Sequence, residues 1–160
     1  MTAFTFNAIG TSWQIDLYET LPQEREERLL VLIKTRVEVF EQTYSRFRPD
    51  SLVATIARQQ GTYTLPPDAE DLLALYYELY KRTEGFFTPF MGRALSDAGY
   101  DTTYSLQQQR ELSAPPQWED VFEYKHPTLI VREPVALDFG AAGKGYLIDI
   151  VGALLEAEGI

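Results

Sequence analysis

The stretch LDFGAAGKGYLIDIV, Leu137 to Val151, sets an acid, three glycines and a lysine between two apolar runs. Upstream, VALDF (Val135 to Phe139) reads as a buried strand. Downstream, KGYLIDIVGALLEAEG (Lys144 to Gly159) reads as a helix with Tyr146, Ile150, Ala153 and Leu154 on its inner stripe and Gly159 as its cap. A strand, a glycine-rich turn and a helix N-terminus form a natural anion site, because unpaired N–H groups point outward there. The phosphate-loop pattern nevertheless fails twice. Asp138 stands where its first glycine belongs, and Gly145 stands where its magnesium-binding hydroxyl belongs. The dinucleotide pattern fails as well, since Ile148 occupies its third glycine position. The residue chemistry still permits a ligand. Small residues let one approach the backbone, Asp138 can accept from an amine, amide or hydroxyl, Lys144 can meet a phosphate, and turn carbonyls can ligate a hard cation. A tight strand–helix connection with a local Asp–Lys pair is the alternative, and the stretch alone does not choose.

Working outward, TSWQIDLYE alternates Trp13, Ile15 and Leu17 against Ser12, Gln14 and Asp16, which predicts a strand with one buried face. PQEREERLLVLIKTRVEVFEQTYSRF predicts a long helix. Leu29, Leu30, Ile33, Val37 and Phe40 keep three–four spacing, acids crowd the first turn, and Pro49 helps end it. Asp50-Ser51 opens a short helix that Gly61 is expected to close, and TYTL reads as a short strand. PPDAEDLLALYYELYKRTEG predicts a helix started by Pro67 and Asp68, faced by Leu72, Leu75, Tyr76 and Leu79, and stopped by Gly85. Phe86 to Trp118 reads as loop with short helical turns. VFEYK and PTLIVRE read as a hairpin pair. Ile160 is either the first residue of another strand or a Schellman contact on the last helix. Single strands mixed with long helices predict an α+β class, a mixed sheet packed with long helices, as a single domain over residues 1–160.

Composition narrows the function. A chain of 160 residues with 45% hydrophobic and 24% charged residues is ordinary for a globular domain. No apolar run approaches the roughly 20 residues of a membrane span. The N-terminus carries no secretory signal as it stands, which points to the cytoplasm unless an export segment has been removed. The chain contains no cysteine, which excludes disulfides, thiolate zinc sites and thiol nucleophiles. A net charge of -10 disfavours nucleic acid and anionic lipid. The single histidine, His126, reads as a surface turn residue before a proline, so a His-dependent triad is not expected.

Four stretches carry a resemblance. LDFGAAGKGYLID matches the pattern D-[LF]-G-x-x-x-K-G-Y-x-x-D. AIGTSW (Ala8 to Trp13), YSRFRPDSLVATI (Tyr44 to Ile56) and TEGFFTPFMGRAL (Thr83 to Leu95) follow three further patterns in the expected order: A-M-G-T, S-x-[YF]-x-x-x-S and G-x-F-D-P-T-V-G-P-L. Together they resemble the FAD:protein FMN transferases, the ApbE-like flavin transferases, through the N-terminal portion of that family. The resemblance implies the ApbE-like fold. It also implies a magnesium-dependent reaction that moves FMN from FAD to a Ser or Thr hydroxyl of an acceptor flavoprotein and releases AMP.

Carried over position by position, the resemblance implies that Ile9 packs on the flavin nucleotide in place of a Met and that Phe47 stacks on FAD. Phe86, Phe87 and Thr88 contact FAD, with Thr88 replacing an Asp, and Asp138 and Lys144 also contact it. The backbone carbonyl of Ala141 is one magnesium ligand. Ser51 is expected to be a helix N-cap, and Arg46 and Arg48 to be surface charges. The acidic runs EREER and DAED read as solvated charge rather than as substitutes for the metal cluster that the family's second half brings. The C-terminal half is absent from these residues, so part of an FAD site and one metal ligand are expected, together with self-association or a complementing C-terminal half. A non-catalytic flavin-binding or partner-binding scaffold is the alternative function, and an acidic structural domain unrelated to flavin is a third.

Overall fold

The structure, a computed structural model, describes residues 1–100 and 105–160. They fall into two compact units, one of Met1–Thr43 with Gly140–Ile160 and the other of Tyr44–Phe139.

In the first unit, β1 (Thr2–Ala8) pairs antiparallel with β2 (Thr11–Leu17) in a register running from Thr2↔Leu17 to Ala8↔Thr11. The loop between them is Ile9-Gly10, with φ of 47° and 70°. Two successive left-handed residues make the primed turn whose twist suits a tight hairpin. β1 is an addition to the sequence expectation, and its own alternation is the signal for it: Thr2 and Phe4 are buried, Ala3 and Thr5 exposed. Phe6 stacks on its register partner Trp13 with ring centroids 5.8 Å apart.

Helix α1 spans Gln23–Tyr44, with Glu24 and Glu26 in its first turn. Leu29, Ile33, Val37 and Phe40 are buried as expected, whereas Leu30 is only partly covered. The final helix of the chain, α6 (Gly140–Ala157), corrects two expectations. It begins at Gly140 rather than at Lys144, so the glycine-rich stretch is helical rather than a turn preceding the helix. Its buried stripe is Gly143, Leu147, Val151 and Leu155, one residue round from the stripe expected. The helix ends in a Schellman motif. Gly159 adopts φ 76°, its N–H donates to the Glu156 carbonyl, and the Ile160 N–H donates to the Leu155 carbonyl, each at 3.0 Å. Arg25 ties the start of α1 to this terminus through the Glu158 carbonyl at 2.8 Å, and Arg28 pairs with the Glu158 carboxylate.

The second unit begins with α2 (Leu52–Ile56), whose N-cap Ser51 is fully buried and accepts from the Ala54 N–H at 3.0 Å. Gly61 does not close this helix. It is the first residue of β3 (Gly61–Thr64). Helix α3 (Ala69–Arg82) buries Ala69, Leu72, Leu73, Tyr76 and Tyr80; Leu75, expected inside, is 42% exposed. A 3₁₀ turn (Pro89–Met91) and α4 (Gly92–Asp97) follow in the region expected to be irregular, of which residues 101–104 lie outside the described ones. Next come α5 (Trp118–Val121), β4 (Phe122–Lys125) and β5 (Thr128–Val131). The last two form the expected hairpin around a cis His126–Pro127 bond, and β3 completes an antiparallel sheet in the order β3-β5-β4.

VALDF is not a strand. Val135, Leu137 and Phe139 alternate inward as expected, but among the described residues no strand pairs with them. Their backbone bonds go to turns and helix ends instead. Val135 N–H donates to Ile56 O, Ala136 O accepts from Gly92 N–H, and Asp138 N–H donates to Pro89 O. Phe139 of this segment joins an aromatic cluster, and a second cluster gathers about Trp118. Tyr76 meets Phe87 and Phe139 at 5.1 and 5.2 Å, and Trp118 meets Phe90 and Phe122 at 5.3 and 5.7 Å. All but the tilted Tyr76–Phe87 pair meet edge-on, and edge-on pairs contribute about 0.5–1.5 kcal/mol each beyond their burial.

Candidate functional site

Two of the singled-out segments of the second unit are fastened to each other. The Asp138 N–H donates to the Pro89 carbonyl at 2.8 Å, and the Gly92 N–H donates to the Ala136 carbonyl at 3.1 Å. Gly92 has to be glycine, because a Cβ there would lie 2.6 Å from the Ala136 carbonyl oxygen. Pro89 itself is buried behind Thr88, whose hydroxyl accepts from the Phe90 N–H at 3.3 Å and caps the 3₁₀ turn. Thr88 is only 7% exposed.

Asp138 points out of the alternating segment between buried Leu137 and Phe139 and meets Arg46. The guanidinium Nε lies 2.5 Å from Asp138 Oδ2, with the two side chains 11% and 12% exposed. The same guanidinium donates to the Tyr100 carbonyl at 2.6 Å and to Ser96 Oγ at 3.3 Å. It also stands 4.2 Å from the Phe47 ring centroid and 5.0 Å from that of Tyr100, and those rings meet edge-on at 5.7 Å. The expectation of a surface charge at Arg46 is therefore corrected. Arg48 does behave that way. It pairs with exposed Asp50, whose carboxyl it holds below the ordinary range, chiefly by their hydrogen bond.

The expected ligand contacts divide between the units. Phe47, Phe86, Phe87, Thr88 and Asp138 belong to the second, and Ile9, Ala141 and Lys144 to the first. Phe87 packs on Tyr76, whereas Phe86 is 90% exposed just after a turn in which Glu84 and Gly85 both adopt positive φ. Lys144 and Gly145 are exposed on α6, and a Cβ at Gly145 would meet nothing within 4 Å. Ile9 sits at the hairpin turn, its N–H held by Glu41 Oε1 at 2.8 Å. Ser96 and Tyr100 are not singled out from the sequence, and Arg46 reads there as a surface charge. The available signal was an arginine beside the aromatic of a recognised segment.

Among the described residues no group of three or more His, Asp or Glu side chains is assembled to hold a metal ion. Ala141 lies in the first turn of α6, where backbone carbonyls enter the helical hydrogen-bond ladder. These residues do not by themselves fit a magnesium site.

The fold is shared with flavin transferases of known structure. The flavin transferase ApbE of Vibrio cholerae superposes with a TM-score of 0.76 at 16% identity, over 99% of this chain and 54% of that one. The apo Pseudomonas stutzeri flavinyl transferase ApbE gives 0.71 at 19% identity, over 98% and 55%. The ApbE protein of Thermotoga maritima gives 0.68 at 19% identity, over 94% and 50%. The chain thus spans about half the length of these structures. No curated protein sequence matches it. The model of the ApbE family matches residues 9–160, and the chain belongs to that family.

Proposed function

We propose that this chain carries the FAD-binding part of a transferase that moves FMN from FAD to a Ser or Thr hydroxyl of an acceptor flavoprotein. In that reaction the phosphoanhydride bond between the FMN and AMP halves breaks. The acceptor oxygen bonds to the FMN phosphorus, its proton is lost, and AMP leaves. The observation that carries the reading is the fastening of the Thr88–Gly92 segment to Ala136–Asp138, with Phe47 held beside Asp138 through Arg46. An aromatic face beside a fixed carboxylate suits a nucleotide with a flat ring and hydrogen-bond donors. Exposed Phe86 offers further ring surface. Lys144 near the α6 N-terminus would meet phosphate charge, and Ile9 would pack on the nucleotide. Magnesium belongs to the family resemblance. Among the described residues no side-chain cluster is assembled for it, and Ala141 offers at most a backbone oxygen. We read residues 1–160 as the N-terminal portion of such an enzyme, completed by a C-terminal half or by self-association.

One observation favours the second reading, a flavin-binding scaffold without chemistry. Thr88, in place of the family's Asp, is buried and used as a helix cap. AMP release from FAD, followed by chromatography with magnesium and with or without a Thr-containing acceptor, decides between them. AMP formation abolished by chelator and by Asp138→Ala supports the transferase. FAD binding without AMP supports the scaffold, and the absence of both sinks the flavin reading.

A further inference from the structure

We propose that Arg46 is a positioning residue that holds the Asp138 carboxylate and the Phe47 ring in the arrangement that receives FAD. This deepens the flavin reading and rests on it.

The two residues it joins come from opposite ends of the second unit. Phe47 follows α1, and Asp138 stands just before α6, at a sequence separation of 92 residues from Arg46. Neither local spacing nor a strand ladder brings them together. The guanidinium does so by three different interactions: an ion pair to Asp138, a cation–π contact to Phe47 and hydrogen bonds to Ser96 and the Tyr100 carbonyl. Ser96 is itself held, its hydroxyl donating to the Gly92 carbonyl at 2.9 Å, and Gly92 is fastened to Ala136. Ser96 and Asp138, two of the guanidinium's neighbours, are therefore anchored to the same framework. Arginine suits this place and lysine does not. A planar fork can bond a carboxylate in one direction and a carbonyl in another while lying near a ring, whereas an ammonium is a compact, strongly hydrated point charge. A carboxylate fixed in advance also spares a ligand the cost of ordering it.

The test uses the 160-residue chain and a cycle of Arg46→Gln, Asp138→Asn and the double variant, with Arg46→Lys alongside. FAD affinity is read by flavin fluorescence and the induced visible circular dichroism of the bound flavin, and folding by thermal melting. Arg46→Lys is the decisive variant because it retains the positive charge beside Asp138, and its thermal melting shows whether the fold is retained with it. It is expected to weaken FAD binding about tenfold or more and to diminish the induced dichroism, the loss of a charged hydrogen bond being worth that much. Asp138→Asn is expected to cost much less affinity in the Arg46→Gln background than in the wild type. A folded Arg46→Lys chain that binds FAD with wild-type affinity and dichroism overturns the proposal, as do additive losses in the cycle. If the wild-type chain binds no FAD, the flavin reading itself falls and the proposal falls with it. That outcome is distinct from FAD binding that ignores Arg46.

Discussion

Ile9 adopts φ 47°, a left-handed conformation that a β-branched residue pays for. The turn is closed by Gly10, and its geometry favours Asn at the first position. Ile9→Asn is therefore expected to raise stability by about 1 kcal/mol, the scale of the left-handed penalty, as measured by urea unfolding. If Ile9 packs on the flavin nucleotide as proposed, the same change lowers FAD affinity while stability rises, and backbone strain kept for function is recognised by that opposition. An unchanged affinity would leave Ile9 as a turn residue only. Arg46 belongs to the same scale. Its role is set by partners far along the chain, so its place beside Phe47 can mark it in the sequence but cannot name Asp138 as its partner.

Helix α6 behaves differently from α1. In α1 the apolar run Leu29 to Ile33 leaves Val31 63% exposed, and the stripe that continues down the helix, Leu29, Ile33, Val37 and Phe40, is the buried one. In α6, Tyr146, Leu147, Ile148, Ile150, Val151, Leu154 and Leu155 surround the axis, so several stripes satisfy helical spacing equally well. Packing selected Leu147, Val151 and Leu155 and left Ile148 57% exposed. Gly145 lies on this helix with no neighbour to require it. Gly145→Ala is expected to stabilise the fold by about 0.5–1 kcal/mol, the ordinary helical cost of glycine, read as a rise in thermal midpoint. Should a ligand approach the backbone there, the added methyl also weakens FAD binding in the same samples. VALDF makes a related point. Its inward alternation is as clear as that of β1, but a strand also needs a ladder partner, and its backbone bonds are taken by Ile56, Pro89 and Gly92.

For the molecule as a whole, Tyr124 gives a test of pH behaviour. Burial, followed by the nearby Glu70 charge, raises its phenol above the usual value of about 10. The folded state therefore retains the proton longer than the unfolded state. The associated stability is fully present below the unfolded-state value and is lost as pH rises through the folded-state value. Urea midpoints are expected to fall as pH climbs past about 10, and less steeply in Tyr124→Phe. A matching slope in that variant would assign the alkaline loss to other groups.

Local rules carried much of this protein. Hydrophobic periodicity located α1, α3 and the β4–β5 hairpin. The Ser51 cap and the Gly159 terminus depend on a few neighbouring residues, and the four segments that mark the family lie in the order of the chain. These features need only nearby atoms, so they can be read from sequence. Tertiary structure alone decided the buried stripe of α6, the absence of a strand at VALDF, and the junction of Arg46 with Asp138 and Phe47. Each depends on which distant surface, carbonyl or carboxylate arrives alongside, and that information is created only when the chain has folded.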